Sequence, residues 1–209
     1  MNIETLGSAV APTYSRLLSE AGRYLKSEGF TRRGHSFLLE TLDGWAFVAF
    51  QKSRKSTPTE ILFTINLGVA SRRLLEFFAD GSDSIKLADA HWRVRVGYLL
   101  PEQRDVWWTI GPSTKSESLF AEIELALSRA VAEVKRHLDD QVLRDMWSSE
   151  RSPGLTDLQR LMHLSVLLKI IGPADDLAGV LAKLRESDHG GLERIAIRQH
   201  LKRFGDLLR

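Results

Sequence analysis

The sequence predicts an α+β fold in which an antiparallel β-meander of four to five strands packs against an N-terminal helix and a long helix. A helical annex is expected at the C-terminal end. Two observations lead to this prediction. Apolar residues repeat at helical spacing up to Ser27, at a spacing of two from Phe30 to about Leu99, and at helical spacing again from Thr114. The strand-like segments also follow one another directly, which favours an antiparallel sheet with helices on one face.

The first half of the chain supplies one helix and the strands. The helix is predicted over Pro12 to Ser27, with Gly29 placed to end it. Four segments rich in aromatic and β-branched residues or bounded by turn formers are predicted as strands, namely Ser36 to Leu42, Trp45 to Lys52, Ile61 to Val69 and His91 to Leu99. Asp43 and Gly44 suit a two-residue hairpin turn. Val106 to Ile110 is predicted as a short fifth strand or a capping loop.

The second half of the chain is predicted to be helical. Thr114 and Glu117 form a capping-box pattern that opens a long helix ending at Trp147. Its apolar stripe consists of Leu119, Ile123, Leu127, Ala130, Val134, Leu138 and Val142. Three shorter helices are predicted at Asp157 to Ile171, Ala174 to Glu186 and Leu192 to Leu208, with His189 between the last two.

These elements divide the chain into an α+β core domain, residues 1–150, and a C-terminal helical annex, residues 151–209. The segment from Leu161 to Ile171 is apolar almost all round. A helix with no polar face has to be buried. The annex is therefore expected either to pack on the core or to form a homodimer through its helices.

Composition excludes several classes of function. The 209 residues include no cysteine, which rules out disulfides, thiolate catalysis and Cys-ligated metal centres. No apolar run reaches the roughly 18 residues of a membrane span, and Met1 to Val10 lacks the pattern of a signal peptide. A cytoplasmic location is expected. The net charge of +2 is too small for composition alone to indicate nucleic-acid binding.

A family pattern runs through the predicted core. Its pieces are EGFTRRGHSFLLE at 28–40, FQKS at 50–53, FTINLGV at 63–69, and WRVRVGYLL at 92–100 followed by Trp107 and Trp108. In this arrangement the chain resembles a bacterial family known as domain of unknown function 4304, over about Tyr14 to Trp147. The resemblance implies a shared fold and a shared surface, and it implies no activity. The annex lies outside it.

The candidate binding site is a polar row on the sheet face away from the helices. Side chains alternate along a strand, so Thr64 and Asn66 face away if their apolar neighbours face the helices. His91, Arg93 and Arg95 are predicted to face away for the same reason. Trp107 and Trp108 would point to opposite faces, so that one of them is core and the other is free.

The strand from Trp45 to Lys52 leaves its orientation open, because both of its alternating sets are apolar. If Phe47 faces the helices, Lys52 joins the polar row, and if Phe50 does, Gln51 joins it. Arg54 follows in the connecting loop. The predicted site for an anionic protein or nucleotide-like partner consists of Lys52, Arg54, Asn66, Arg93 and Arg95.

An anion site and an ordinary solvated face predict different surroundings for the arginines. In an anion site, the guanidinium groups of Arg93 and Arg95 should lack tight acidic partners, since the ligand supplies the opposite charge. On an ordinary solvated face, the arginines lie over apolar neighbours and pair with acids of the same chain.

The sequence offers no catalytic residue, no metal site and no cofactor site. The six histidines, His35, His91, His137, His163, His189 and His200, show no short metal-ligand spacing, and no serine stands in a GxSxG frame. We therefore favour a non-enzymatic binding module. The alternative is a metal-assisted hydrolase or nuclease that would use Glu40, Asp43 and Lys52 with His91.

Overall fold

The structure is a computed structural model that describes residues 3–78, 85–186 and 190–206, and it confirms the α+β fold. The strands are β1 Thr31–Arg33, β2 Ser36–Glu40, β3 Gly44–Lys52, β4 Ile61–Ser71, β5 Trp92–Arg95 and β6 Trp108–Ile110. The helices are α1 Ile3–Ser27, α2 Arg72–Phe78, α3 Ser116–His137, α4 Asp140–Ser148, α5 Asp157–Ile171, α6 Ala174–Glu186 and α7 Gly191–Asp206. Two short 3₁₀ turns lie at Leu87–Asp89 and Val96–Leu99. His189 and residues 207–208 of the last predicted helix fall outside the described residues.

The sheet is an antiparallel meander in the order β1-β2-β3-β4-β5. One edge of β4 pairs with β3, from Gly44↔Ser71 to Lys52↔Phe63. The other edge of β4 pairs with β5 through its second half and with β6 through its first three residues. β4 is therefore the strand on which the sheet is assembled.

The inner face of the sheet, defined as the face toward α1 and α3, carries the main core. The inward residues of β4 are almost fully buried there, and they are Ile61, Phe63, Ile65, Leu67 and Val69. Val48 and Phe50 of β3 join the same cluster. The orientation that the sequence left open is thus settled, because Phe50 faces the helices and Gln51 faces away.

Part of the opposite face, here called the outer face, is also apolar, and this explains the ambiguity of β3. Phe47 is buried on the outer face in a second cluster with Leu38, Ala70 and Ala90. Four partly buried apolar residues pack against this cluster, namely Trp45, Leu75, Ile85 and Leu87. Both alternating sets of β3 are apolar because both faces of the sheet are covered at that end.

Two predicted helices differ from the structure at their ends. α1 begins at Ile3, and Pro12 lies inside it rather than opening it; a proline there removes one backbone hydrogen bond and leaves the remaining ladder to hold the helix. The predicted capping box at Thr114 is wrong, because its Oγ1 accepts from the N–H of Gly111 and Lys115 is the N-cap of α3.

The long helix is also interrupted. α3 ends at His137, and Asp139 caps α4 by accepting a hydrogen bond from the N–H of Gln141 at 2.8 Å. The break shifts the buried stripe by one position, so that Leu143 is buried in place of the predicted Val142.

Short elements account for the other differences. β1 and α2 were not predicted, and the strand expected over His91 to Leu99 is β5 followed by a 3₁₀ turn. Segments of three to seven residues carry too little periodicity to be recognised. β6 confirms the short strand within Val106 to Ile110. Among the described helices, none has both the length and the apolar composition needed to cross a membrane.

The annex contacts the core through α5 and through the loop before it. Leu161, Leu164 and Leu167 of α5 belong to the same buried cluster as the inner face of the sheet. The loop lies along the free edge of β5, where the N–H of Arg93 donates to the carbonyl of Pro153 at 3.2 Å. The division into two domains stays a prediction.

Two buried histidines, His91 and His200, and the partly buried His163 meet aromatic rings where α2, α5 and α7 approach β5. The rings of His91 and His163 lie 4.9 Å apart, and His200 stacks on Phe78 at 5.7 Å. Ser165 Oγ lies 2.8 Å from Nε2 of His200. Burial lowers the pKa of His91 and of His200 to about 4 and lowers the pKa of His163 well below its usual range. The fold therefore holds these rings neutral.

We expect acid to destabilise the protein through these histidines. Because folding lowers the pKa values of His91 and His200 to about 4, the stability that each neutral ring preserves is complete above pH 6.5 and is lost as the pH falls toward 4, with a loss on the order of 2 kcal/mol per ring by pH 5. Urea unfolding of the wild type and of His200→Gln at pH 7.5, 6 and 5 measures this loss.

The variant should lose less stability than the wild type over this range. The control is His35→Gln, at an exposed position, which should follow the wild type. Equal losses in the wild type and in His200→Gln would show that the buried imidazole of His200 does not cause the acid sensitivity.

We also expect that Gly154 cannot be replaced without cost. Its φ is +81°, and a Cβ atom at this position would lie 2.7 Å from Cβ of Arg93. Gly154→Ala should therefore lower the free energy of unfolding by about 1–3 kcal/mol. The matched control is Gly179→Ala inside α6, where a Cβ meets no atom within 4 Å. That substitution should raise stability by about 0.5–1 kcal/mol. A Gly154→Ala variant as stable as the wild type would contradict the close approach.

Candidate functional site

A depression of about 510 Å³ opens on the outer face, at the end of the sheet that the second apolar cluster leaves uncovered. Its polar side chains come from three adjacent strands, β3, β4 and β5, and are Gln51, Asn66, Arg93 and Arg95. Leu87 and Ala88 of a 3₁₀ turn form one wall, and Gly154 forms another. We call this the outer-face depression.

The two amides form a pair across β3 and β4. Asn66 Nδ2 donates to Gln51 Oε1 at 2.7 Å, which is a short amide hydrogen bond. An amide nitrogen carries two N–H groups. The NH₂ group of Gln51 and the second N–H of Asn66 can therefore still donate hydrogen bonds to a ligand.

Arg93 is the cation of the outer-face depression. Its Nη2 donates to the carbonyl of Gly154 at 2.6 Å, and its Nε is buried without a hydrogen-bond partner. Among the described residues, no carboxylate lies within ion-pair distance of Arg93. Its charge is compensated only by a neutral carbonyl, as expected for an arginine in an anion site.

Arg95 does not fit that expectation. Nη1 of Arg95 forms an ion pair with Oδ2 of Asp105, and its guanidinium lies 5.2 Å from the centre of the Trp107 ring. Trp107 Nε1 donates to the same carboxylate oxygen at 3.1 Å. The prediction that Arg95 lacks an acidic partner is wrong, because the segment after the 3₁₀ turn Val96–Leu99 returns to the sheet and brings Asp105 to it.

Two more residues of the predicted polar row are structural. The Thr64 hydroxyl is buried and donates to the carbonyl of Val106 at 2.8 Å. His91, expected on the exposed face, is buried, and its Nδ1 accepts from the N–H of Ser71 at 3.0 Å. Both side chains satisfy backbone groups of neighbouring segments.

Lys52 and Arg54 lie outside the depression. Because Phe50 faces the helices, Lys52 does too, and its Nζ lies 5.6 Å from the centre of the Tyr14 ring. Arg54 is exposed in the turn beyond β3. The structure thus brings together Asn66, Arg93 and Arg95 of the five predicted residues and adds Gln51.

Two glycines of the quoted motifs let connecting segments pack closely beside the outer-face depression. A Cβ on Gly68 would lie 2.4 Å from Cδ1 of Leu87, so glycine lets the 3₁₀ turn pack directly on the sheet. A Cβ on Gly97 would lie 2.3 Å from the carbonyl oxygen of Arg104, so glycine lets the segment that carries Asp105 pack closely. Close packing at both points depends on the absence of a side chain.

Sequence reasoning missed Asp105 and the carbonyl of Gly154. The signals were present as the two glycines in FTINLG and WRVRVG, which mark places where another segment approaches the backbone. Neither glycine identifies the approaching segment, because that depends on how the distant loops return to the sheet.

The residues of the hydrolase alternative are not brought together. Glu40 lies opposite Trp45, and its carboxylate is 3.4 Å from Nη2 of Arg72. Lys52 lies at the other end of β3, roughly 23 Å away at the rise of an extended strand. Within residues 3–78, 85–186 and 190–206, no three His, Asp or Glu side chains are grouped so that they could hold a metal ion.

Comparison with known protein families gives a match within the α+β core. A family model described as a domain of unknown function, DUF4304, matches residues 21–137. No curated protein and no solved structure matches the chain. The matched residues supply all four polar side chains of the depression, whereas Gly154 lies beyond them. Because the match covers more than half of the chain and confirms the predicted resemblance, the protein belongs to the DUF4304 family of domains of unknown function.

Proposed function

We propose that the protein is a binding module that takes an anionic group of a partner in the outer-face depression. The observation that carries the proposal is Arg93, a half-buried cation whose only described side-chain partner is a carbonyl oxygen. Buried or half-buried charges are normally paired with an opposite charge. A bound anion would provide that charge.

The neighbouring amides support the proposal. Gln51 and Asn66 keep N–H groups that can donate to the oxygens of an anion, and Arg93 lies two strand positions from Arg95, on the same face of β5. A guanidinium between amide donors fixes the orientation of an anion as well as its charge. The site is fixed by strands rather than by a loop, which favours a defined binding geometry.

The hydrolase or nuclease alternative receives no comparable support, since its four residues are distributed over both ends of the sheet. A cytoplasmic location and a bacterial origin both stay predictions, and the absence of cysteine agrees with a reducing compartment.

The proposal predicts that anions stabilise the protein through Arg93. Thermal unfolding is measured with acetate, inorganic phosphate, a nucleotide and an acidic peptide, each at low and moderate salt. An anion that binds the folded state should raise the melting temperature. In Arg93→Gln this shift should disappear, because the variant keeps an amide donor at this position and loses the positive charge.

The matched control is Arg33→Gln, which removes one positive charge from an exposed position on β1. The anions should raise its melting temperature as much as they raise that of the wild type, because Arg33 lies outside the depression. General electrostatic attraction would instead be weakened equally by the loss of either arginine. The proposal fails if none of the four anions raises the melting temperature, or if Arg93→Gln and Arg33→Gln respond alike.

A further inference from the structure

The charges around the outer-face depression define which anion it accepts, and this inference rests on the proposed function. Two arginines line the depression, and the carboxylate of Asp105 is paired with one of them. Among the described residues that line the depression, Arg93 therefore carries the one unpaired positive charge.

Asp105 is held in place by three contacts. It accepts hydrogen bonds from Arg95 and from the indole N–H of Trp107, and the close approach at Gly97 fixes its backbone. The guanidinium of Arg95 lies over the Trp107 ring, so it cannot turn toward a ligand without losing both partners. Asp105 thus offsets the charge of Arg95 in the structure.

Carboxylates and phosphate monoesters differ in what they require from such a site. A carboxylate carries one negative charge and is planar, which suits one guanidinium edge and the flat amides of Gln51 and Asn66. A phosphate monoester carries about −1.5 to −2 charges at pH 7. Its second charge would find no unpaired arginine among the described residues that line the depression, because Arg95 is already paired with Asp105.

We infer that the outer-face depression binds a monocarboxylate and that Asp105 is the residue that excludes dianionic phosphate. The carboxylate belongs to the C-terminus of a partner chain or to one of its Asp or Glu side chains, because both present the same group. Arg93 is the binding residue, Gln51 and Asn66 orient the group, and Asp105 acts through Arg95.

The test compares four small probes at pH 7.5 by calorimetry or NMR titration. N-acetylalanine represents a chain terminus, N-acetylglutamic acid α-amide represents a side chain, N-acetylalaninamide is the neutral control, and methyl phosphate is the dianion. In the wild type, at least one carboxylate should bind about tenfold more tightly than methyl phosphate. The better of the two carboxylates identifies the source.

Two variants separate charge selectivity from a structural role. Asp105→Asn leaves the hydrogen-bond geometry similar and frees the charge of Arg95, so the affinity for methyl phosphate should rise about tenfold. The double variant Arg95→Gln/Asp105→Asn returns the site to one positive charge, and the preference for the carboxylate should return with it. If Asp105 had only a structural role, the preference for carboxylate over methyl phosphate would be no closer to the wild-type value in the double variant than in the single variant.

Each outcome decides one of the two proposals. Tighter binding of methyl phosphate than of either carboxylate by the wild type, with loss of binding in Arg93→Gln, overturns this inference and leaves the proposed function standing. An unchanged ratio of affinities in Asp105→Asn also overturns it. If no probe binds and Arg93→Gln changes nothing, the proposed function falls, and this inference falls with it.

Discussion

The strict alternation of side chains along β4 is the constraint on which the rest of the structure depends. β4 pairs with β3 along one edge and with both β5 and β6 along the other. Its odd-numbered residues fill the core beneath α1 and α3, which forces Asn66 and Gly68 onto the outer face. A shift of one residue in any of these pairings would exchange the two faces. The core and the outer-face depression are therefore fixed by the same register.

The glycines near β4 allow close packing of connecting segments, and the arginines of β5 supply the charges of the outer-face depression. Gly68 and Gly97 allow two connecting segments to pack on the sheet, and these segments form a wall and supply Asp105. Arg95 forms an ion pair with Asp105, whereas the guanidinium of Arg93 donates to the neutral carbonyl of Gly154. Two arginines that look equivalent in the sequence thus have different electrostatic surroundings. Of the two arginines that line the depression, Arg93 alone therefore keeps an unpaired positive charge.

The sequence predicts what depends on local periodicity, and it misses what depends on the return of distant loops. The inward set of β4 and the outward Arg93 follow from alternation alone. The orientation of β3 does not, because Phe47 and Phe50 are both buried, on opposite faces. The acidic pair Asp139-Asp140 shows the same limit at a helix break, since only the backbone geometry shows that Asp139 is an N-cap. Asp105 and Gly154 enter the site through contacts that no periodicity encodes.

The central claim is that Arg93, Asn66 and Gln51 together hold a carboxylate, and side-chain NMR tests it most directly. The Nε–H signal of Arg93 and the amide signals of Asn66 and Gln51 can be followed while N-acetylalanine or N-acetylglutamic acid α-amide is added to the wild-type protein. With the better-binding carboxylate, we predict that these three signals shift together with one dissociation constant and that the Nε–H signal of Arg54 does not. Shifts confined to Arg54, or no saturable shift at Arg93 with either probe, would contradict the account.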